Sequence, residues 1–413
     1  MKPTIPFFLI TLALGCFALS PKMQAVVPPP DGGYPGGNTA EGQAALLSLT
    51  TGGYNTAVGY LSLLSNATNS LNTAIGAGAL ALNTADENTA TGAGALFSNT
   101  TGFFNTADGA FALFSNTTGQ NNTATGFEAL FSNTTGSNNT AVGRSTLGNN
   151  TTGSPNTAIG AQALASNTTG AFNTAIGGSA LSTNTTSNNN TATGSFTLFE
   201  ATGDSNTATG FLALRFTTSG NSNTALGFQA GENQTTGSNN VYIGAGSIGV
   251  AGESNACYIA SIFGQTSGGG APVLVNAAGK LGTTTSSRRF KDDIKPMDKA
   301  SETLFTLKPV CFRYKKEIDP QRVPQFGLVA EEVEKVNPDL VVRDKEGKAN
   351  TVRYDQVNAM LLNEFLKEHH KNEQQEAIIV RLQKQVETLT AGLQKVSAQL
   401  EASKPARQVV NNP

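Results

Sequence analysis

Asn105-Thr106-Ala107-Asp108-Gly109-Ala110-Phe111-Ala112-Leu113-Phe114-Ser115-Asn116-Thr117-Thr118-Gly119-Gln120-Asn121 is one round of a phrase that this 413-residue chain repeats thirteen times. Its opening, Asn-Thr-Ala-x-Gly, starts at Asn38, Asn55, Asn72, Asn88, Asn105, Asn122, Asn139, Asn156, Asn173, Asn190, Asn206, Asn223 and Asn240, the last copy decaying to Asn240-Val241-Tyr242-Ile243-Gly244. The step is 17 residues except for two steps of 16, from 72 to 88 and from 190 to 206. A period this short and this strict means a solenoid, each repeat one coil stacked on the next.

The chemistry of one coil follows from its letters. Glycines at fixed places permit positive φ where the chain reverses. The Ala112-Leu113 pair supplies the inward apolar contact, and two short strand-like pieces are expected to alternate with two turns. Asparagines in register can bond amide to amide from coil to coil and satisfy polar groups that a tight turn would bury. Thirteen coils at about 4.8 Å each give a rod of about 60 Å.

Charge divides the chain near residue 285. Residues 1–285 hold 5 Lys+Arg and 10 Asp+Glu, whereas 286–413 hold 22 and 19. Neither part is basic enough to point to nucleic acid. Only eight acids lie in 38–250, which argues against a glycan-cleaving groove built from convergent carboxylates. They are out of register, which argues against calcium-binding repeats. Asn99, Asn116, Asn133, Asn167 and Asn184 each begin an Asn-Thr-Thr triplet that fits an N-glycosylation sequon, a match that a repeat built from Asn and Thr supplies freely. A flat Thr array could serve as an ice-binding face, although Thr is an ordinary residue of β-coils.

Upstream, Lys2 and the apolar stretch Ile5 to Leu19 read as an export signal over 1–25, cut after Ala25. Cys16 stands in a poor lipobox, because the apolar run continues past it. No other stretch is long enough to span a bilayer, so no integral membrane domain is expected once the signal is removed. Cys257 and Cys311 do not make a disulfide framework and read as small half-buried side chains.

The coil pattern resembles the head repeats of YadA-like trimeric autotransporter adhesins, over about 210 residues. The resemblance implies a left-handed parallel β-roll with three chains side by side. The 17-residue unit is longer than the typical adhesin-head unit, and the family's C-terminal membrane barrel has no counterpart in this chain.

Past the repeats, Ala256-Cys257-Tyr258-Ile259-Ala260 and Pro272-Val273-Leu274-Val275 read as short strands of a neck, with a turn at Asn276-Ala277-Ala278-Gly279. A mixed globular pattern follows. Lys299 to Leu307 reads as a short helix, 309–315 as a half-buried strand and Phe326 to Val329 as a second strand. Ala330 to Val336 reads as a helix stopping before Pro338. A hairpin runs from Leu340-Val341-Val342 to Thr351-Val352-Arg353-Tyr354.

Four stretches of this region carry a strong resemblance. They are Ser286-Ser287-Arg288-Arg289-Phe290-Lys291-Asp292-Asp293-Ile294, Leu307-Lys308-Pro309-Val310-Cys311-Phe312-Arg313-Tyr314, Gly327-Leu328-Val329-Ala330-Glu331-Glu332-Val333 and Val352-Arg353-Tyr354. In order and interval they resemble the C-terminal intramolecular chaperone of endosialidase-type phage tail spikes. The resemblance implies a domain that trimerises, assists folding of the fibre upstream and then cuts itself off. Its catalytic pair, a Ser followed five residues later by a Lys, falls on Ser286 and Lys291, and the bond cut would be Thr285–Ser286. Such chemistry is sound, since a serine hydroxyl needs a base and a desolvated neutral lysine can be one. Where many relatives carry Asp after the nucleophile, this chain has Ser287, a second hydroxyl beside the first.

Downstream, Ile379, Leu382, Val386, Leu389, Leu393, Val396 and Leu400 recur at alternating steps of three and four, a heptad seam. The seam itself does not choose between two and three strands. His369 and His370 beside Glu368 and Glu373 read as solvent-facing rather than as a metal site.

The expected plan is a signal at 1–25, a Pro/Gly-rich leader at 26–37, the β-roll at 38–250 and a neck at 251–285. A self-cleaving α+β chaperone domain at 286–360, a coiled-coil helix at 361–402 and a disordered tail at 403–413 complete it. The fold class is thus a trimeric, mainly β parallel roll followed by a small α+β domain and a coiled-coil helix. The expected function is an exported homotrimeric, adhesin-like fibre, secreted or at the cell surface, that acts as its own single-turnover serine peptidase without cofactor or metal. The alternatives are a non-cleaving fibre, or a roll with a ligand of its own and a permanent trimeriser.

Overall fold

The computed structural model describes residues 34–263, 271–276, 278–283 and 285–403. The expected signal at 1–25, Cys16, most of the leader and all but the first residue of the tail lie outside the described residues. The chain forms two compact units, Met1–Thr266 and Ser267–Pro413.

The first unit is a parallel β-solenoid. Fourteen short strands, β1 (Thr39–Glu41) through β14 (Cys257–Ile259), form one parallel sheet in strict chain order. Register is identity on identity: Thr106 pairs with Thr123, Ala107 with Ala124, Asp108 with Thr125. The strand at 256–260, expected in the neck, is the fourteenth rung, Tyr258 opposite Tyr242.

Only one side of each coil is a strand; the expected second strand is absent. There Phe111 and Leu113 take φ of 59° and 51°, and the same two positions repeat this left-handed geometry from coil to coil. Each such residue costs about 1–2 kcal/mol, most for β-branched side chains, and the column holds Leu from Leu46 to Leu214, never Val or Ile. Backbone bonds still run between coils on this side, Leu113 N–H to Ala129 O at 2.9 Å.

The core is narrow and closed within one chain: Ala107, Ala112, Leu113 and their equivalents are fully buried. Glycine lets the coils approach this closely. Gly109 has φ of 138°, and a Cβ there would lie 2.6 Å from the Gly126 carbonyl carbon and oxygen.

Two asparagine ladders satisfy the turns. From Asn38 to Asn223, each Oδ1 accepts the backbone N–H of the next coil's first Asn at 2.8–3.0 Å. The second ladder joins Asn83, Asn99, Asn116, Asn133, Asn150, Asn167 and Asn184 through Nδ2–H to Oδ1 bonds of 2.7–2.8 Å. The five asparagines of the Asn-Thr-Thr triplets named above all belong to it, buried with their Nδ2 groups already engaged, so the folded roll offers none of these five to a glycan.

At the C-terminal end the column changes. Tyr242 stands where Ala stood, and Gly231 where Leu stood; a Cβ on Gly231 would lie 2.7 Å from the Tyr242 ring. Tyr242 and Tyr258 stack at 5.6 Å, and the Tyr258 hydroxyl donates to Glu253 at 2.5 Å.

The second unit is small. β15 (Val273–Val275) and β16 (Leu281–Thr283) form a hairpin, as do β17 (Val310–Phe312) with β18 (Gln325–Gly327) and β19 (Val341–Arg343) with β20 (Ala349–Val352). Helix α1 (Ala330–Val336) and the long helix α2 (Tyr354–Ala402) follow the expected pattern. The short helix expected at Lys299 to Leu307 forms as a 3-10 helix, Asp298–Thr306. Hydroxyls of Thr303 and Thr306 bond back to carbonyls three residues earlier, a competition that favours the tighter turn.

Its core is Val333, Leu340, Val341, Val352, Val357 and Met360. The two cysteines, expected half-buried, are both exposed. Cys257 occupies the outward Thr position of the last rung, and Cys311 faces away from half-buried Val310 and Phe312. Among the described residues no helix is long and apolar enough to cross a membrane.

Candidate functional site

The stretch from Thr285 to Met297 is held by short-range backbone contacts. Ser286 and Lys291 flank one 3-10 turn, Arg288–Phe290. Phe290 N–H donates to Ser287 O and Lys291 N–H to Arg288 O, both at 3.1 Å; Ser287 N–H reaches Thr285 Oγ1 at 3.4 Å. The Arg289 guanidinium lies over the Phe290 ring at 4.6 Å. Ser286, Ser287 and Lys291 are all exposed, and no hydrogen bond joins Ser286 to Lys291.

The turn brings the two residues onto one short segment without bringing them into a dyad. A lysine acting as base must be shielded from water. Lys291 is exposed in this structure and so lacks that shielding here.

Apolar side chains left in water mark where cover is missing. Phe290 is 60% exposed, and Phe326, in the second hairpin, 82%. Along α2 only Val357 and Met360 are buried; the seam residues Ile379, Leu382, Val386, Leu389, Leu393, Val396 and Leu400 are all exposed. Contiguous apolar surface on this scale marks an interaction face.

The motif residues around this surface have structural work of their own. The Tyr354 hydroxyl accepts Leu328 N–H at 2.9 Å, fixing the end of β18 to the start of α2. A Cβ on Gly327 would lie 2.9 Å from that hydroxyl, so the glycine is what admits it. Glu331 and Glu332 sit in the first turn of α1, where acidic side chains suit the helix dipole. Val333 and Val352 point into the core.

Residues 286–342 match the family model of peptidase S74, chaperone of endosialidase. The matched segment begins at Ser286 and covers the exposed stretch through Pro296, the second hairpin and α1. No curated protein matches the chain. The likeness of the roll to adhesin heads therefore rests on its repeat alone. The family name describes a chaperone that is also a peptidase, and this is the activity the match implies for the C-terminal unit.

One cluster escaped the sequence reading. Ser301, Asn363, Glu364 and Lys367 meet where the 3-10 segment packs on α2. More than sixty residues separate Ser301 from the others. The only linear signal was Glu364 three residues before Lys367 on one helical face. His369 and His370 are exposed and both approach Glu373, at 3.5 and 3.2 Å. Among the described residues no group of three or more His, Cys, Asp and Glu could hold a metal ion.

Proposed function

We propose that the chain is an exported homotrimeric fibre whose C-terminal unit assists assembly and then cuts itself off between Thr285 and Ser286. The observation that carries this reading is the family match beginning at Ser286, the residue that would become the new N-terminus. The uncovered seam of α2 supports the trimer, since burying each seam leucine yields about 1.5–3 kcal/mol.

In the proposed reaction Lys291, neutral and shielded in the trimer, takes the Ser286 hydroxyl proton. Ser286 Oγ attacks the Thr285 carbonyl carbon, and the Thr285–Ser286 C–N bond breaks as the proton passes to the departing nitrogen. Thr285 is then held as an ester on Ser286 Oγ. Water hydrolyses the ester, leaving a Thr285 carboxylate and a free Ser286 hydroxyl. Each chain cuts once.

The roll gives this step a purpose. Three such rolls laid side by side would offer each other equivalent contacts when one is displaced by a coil, so a clamp is needed to fix their register. Removing the clamp afterwards leaves a fibre that cannot readily retrace its assembly. The roll would be displayed outside the cell as an adhesin-like rod for an unidentified surface ligand.

Full-length wild type, Ser286→Ala and Lys291→Ala decide the question by mass spectrometry. Wild type should yield a 128-residue fragment starting at Ser286, and both variants should stay intact. An intact wild-type trimer would favour the rival reading, a permanent trimeriser.

A further inference from the structure

Among the described residues of the second unit, Ser301 is the one buried polar side chain. Its hydroxyl donates to Glu364 Oε1 at 2.5 Å and accepts from Asn363 Nδ2 at 2.6 Å and from Lys367 Nζ at 3.4 Å. Lys367 Nζ also donates to Glu364 Oε1 at 2.7 Å and lies 3.9 Å from Glu302. Asn363 Nδ2 reaches the Asp298 carbonyl at 3.2 Å.

This is not a second nucleophile. The Ser301 hydroxyl is enclosed, and the amine beside it is engaged by a carboxylate instead of being free to take a proton. A satisfied polar network inside a small core selects one geometry more than it adds stability.

Just upstream of this network lies the segment that carries Ser286 and Lys291. Residues 285–296 are exposed, and their backbone bonds are local. The first downstream anchors are Met297, packed against the core, and Ser301. The side-chain partners of Ser301 (Asn363, Glu364 and Lys367) all lie on α2, the helix whose apolar seam is left uncovered.

We propose that Ser301, Asn363, Glu364 and Lys367 form a positioning site that ties the cleavage segment to α2, so that assembly of the helices sets Ser286 and Lys291 in cutting order. This rests on the self-cleavage reading above, and the test separates the two. In the full-length chain, Ser301→Ala should lower the cleavage rate per assembled oligomer by about tenfold to a hundredfold, the scale of a small misplacement of reacting groups. Ser301→Thr, which keeps the hydroxyl, should restore most of it. In a Ser286→Ala background, where nothing is cut, Ser301→Ala should speed amide hydrogen exchange across 286–297 while sedimentation shows the same oligomer. If cleavage falls only in step with the amount of oligomer, or Ser301→Ala cuts at the wild-type rate, the positioning role is wrong. If wild type itself is never cut, the self-cleavage reading falls, and unchanged exchange at 286–297 would then overturn the tie to α2 as well.

Discussion

The roll and the C-terminal unit solve the same problem in opposite ways. Each coil of the roll finds its partners in the next coil of the same chain: alanine and leucine columns close the core, and buried asparagines are bonded up and down the stack. The C-terminal unit has a core of six residues and leaves Phe290, Phe326 and the whole α2 seam in water. One region is complete once its neighbours in sequence have folded, whereas the other is built for company. On the proposed function, a chaperone that gathers copies needs an unfinished surface, and the rod it leaves behind does not.

The largest effect should come from breaking the roll at an asparagine. Asn105→Leu removes the acceptor for Asn122 N–H and the donor to Gly119 O. Each buried group left unpaired costs about 1–3 kcal/mol, and leucine at a close-packed turn adds strain. Denaturant unfolding should show a loss of at least about 3 kcal/mol for the roll, independent of protein concentration. A variant as stable as wild type would mean that the ladder is decorative.

Next comes the seam. Leu389→Asp should leave the roll's stability untouched and lower the oligomer's, shifting its melting with concentration by the loss of about 1.5–3 kcal/mol per chain. Sedimentation at several concentrations checks it. If the same assembly persists, the seam is not the contact surface and the contrast between the two regions weakens.

The same contrast explains what was legible in the sequence. The roll's architecture, its inward Ala-Leu pair and its asparagine ladders follow from a phrase repeated at fixed spacing. What escaped was conformational: Leu113 at positive φ turns an expected strand into a turn, and the letters Ala-Leu do not distinguish the two. At the far end, Cys257 and Tyr258 have lost the repeat's letters but keep its backbone pairing, so the last rung read as a neck. In the C-terminal unit the motif fixed Ser286 and Lys291 by number. In this structure both are exposed and no hydrogen bond joins them. The Ser301 cluster was invisible for a different reason: its members meet only through the packing of two elements far apart in sequence.

Acid and alkali should part the two regions. Hydrogen bonds from Lys367 and then Ser301 hold the Glu364 carboxyl below its ordinary value of 4.5. Its stabilising contribution is complete above that value and is lost as the pH falls through the lowered folded value. Burial first, then Glu253 and Tyr258, pushes the Tyr242 phenol up from 10.0 to about 12. Its contribution to the roll is whole below 10.0 and is lost as the pH rises toward 12. Melting followed separately for each unit should show an acid-side loss in the second that Glu364→Gln abolishes. An alkaline loss in the roll should be reduced by Tyr242→Phe, the remaining part belonging to Tyr258, whose phenol is also raised, first by its hydrogen bond to Glu253. Profiles unchanged by these substitutions would refute both assignments.

The smallest effect is a repair. The second asparagine ladder ends at Asn184, whose Oδ1 is buried without a partner because the next coil offers Ala201. An asparagine there would have a donor for that oxygen, as Asn184 has for Asn167 at 2.8 Å. Its second N–H would have Gly203 O two residues on, as Asn83 has Ala85 O at 2.7 Å in the other short coil. Ala201→Asn should therefore stabilise the roll by about 1 kcal/mol, the worth of one satisfied buried hydrogen bond. A raised denaturation midpoint at unchanged slope would show that the chain's own repeat is the rule for completing it. A lowered midpoint would show that the 16-residue coil has closed the space, and that the roll is less periodic than its letters.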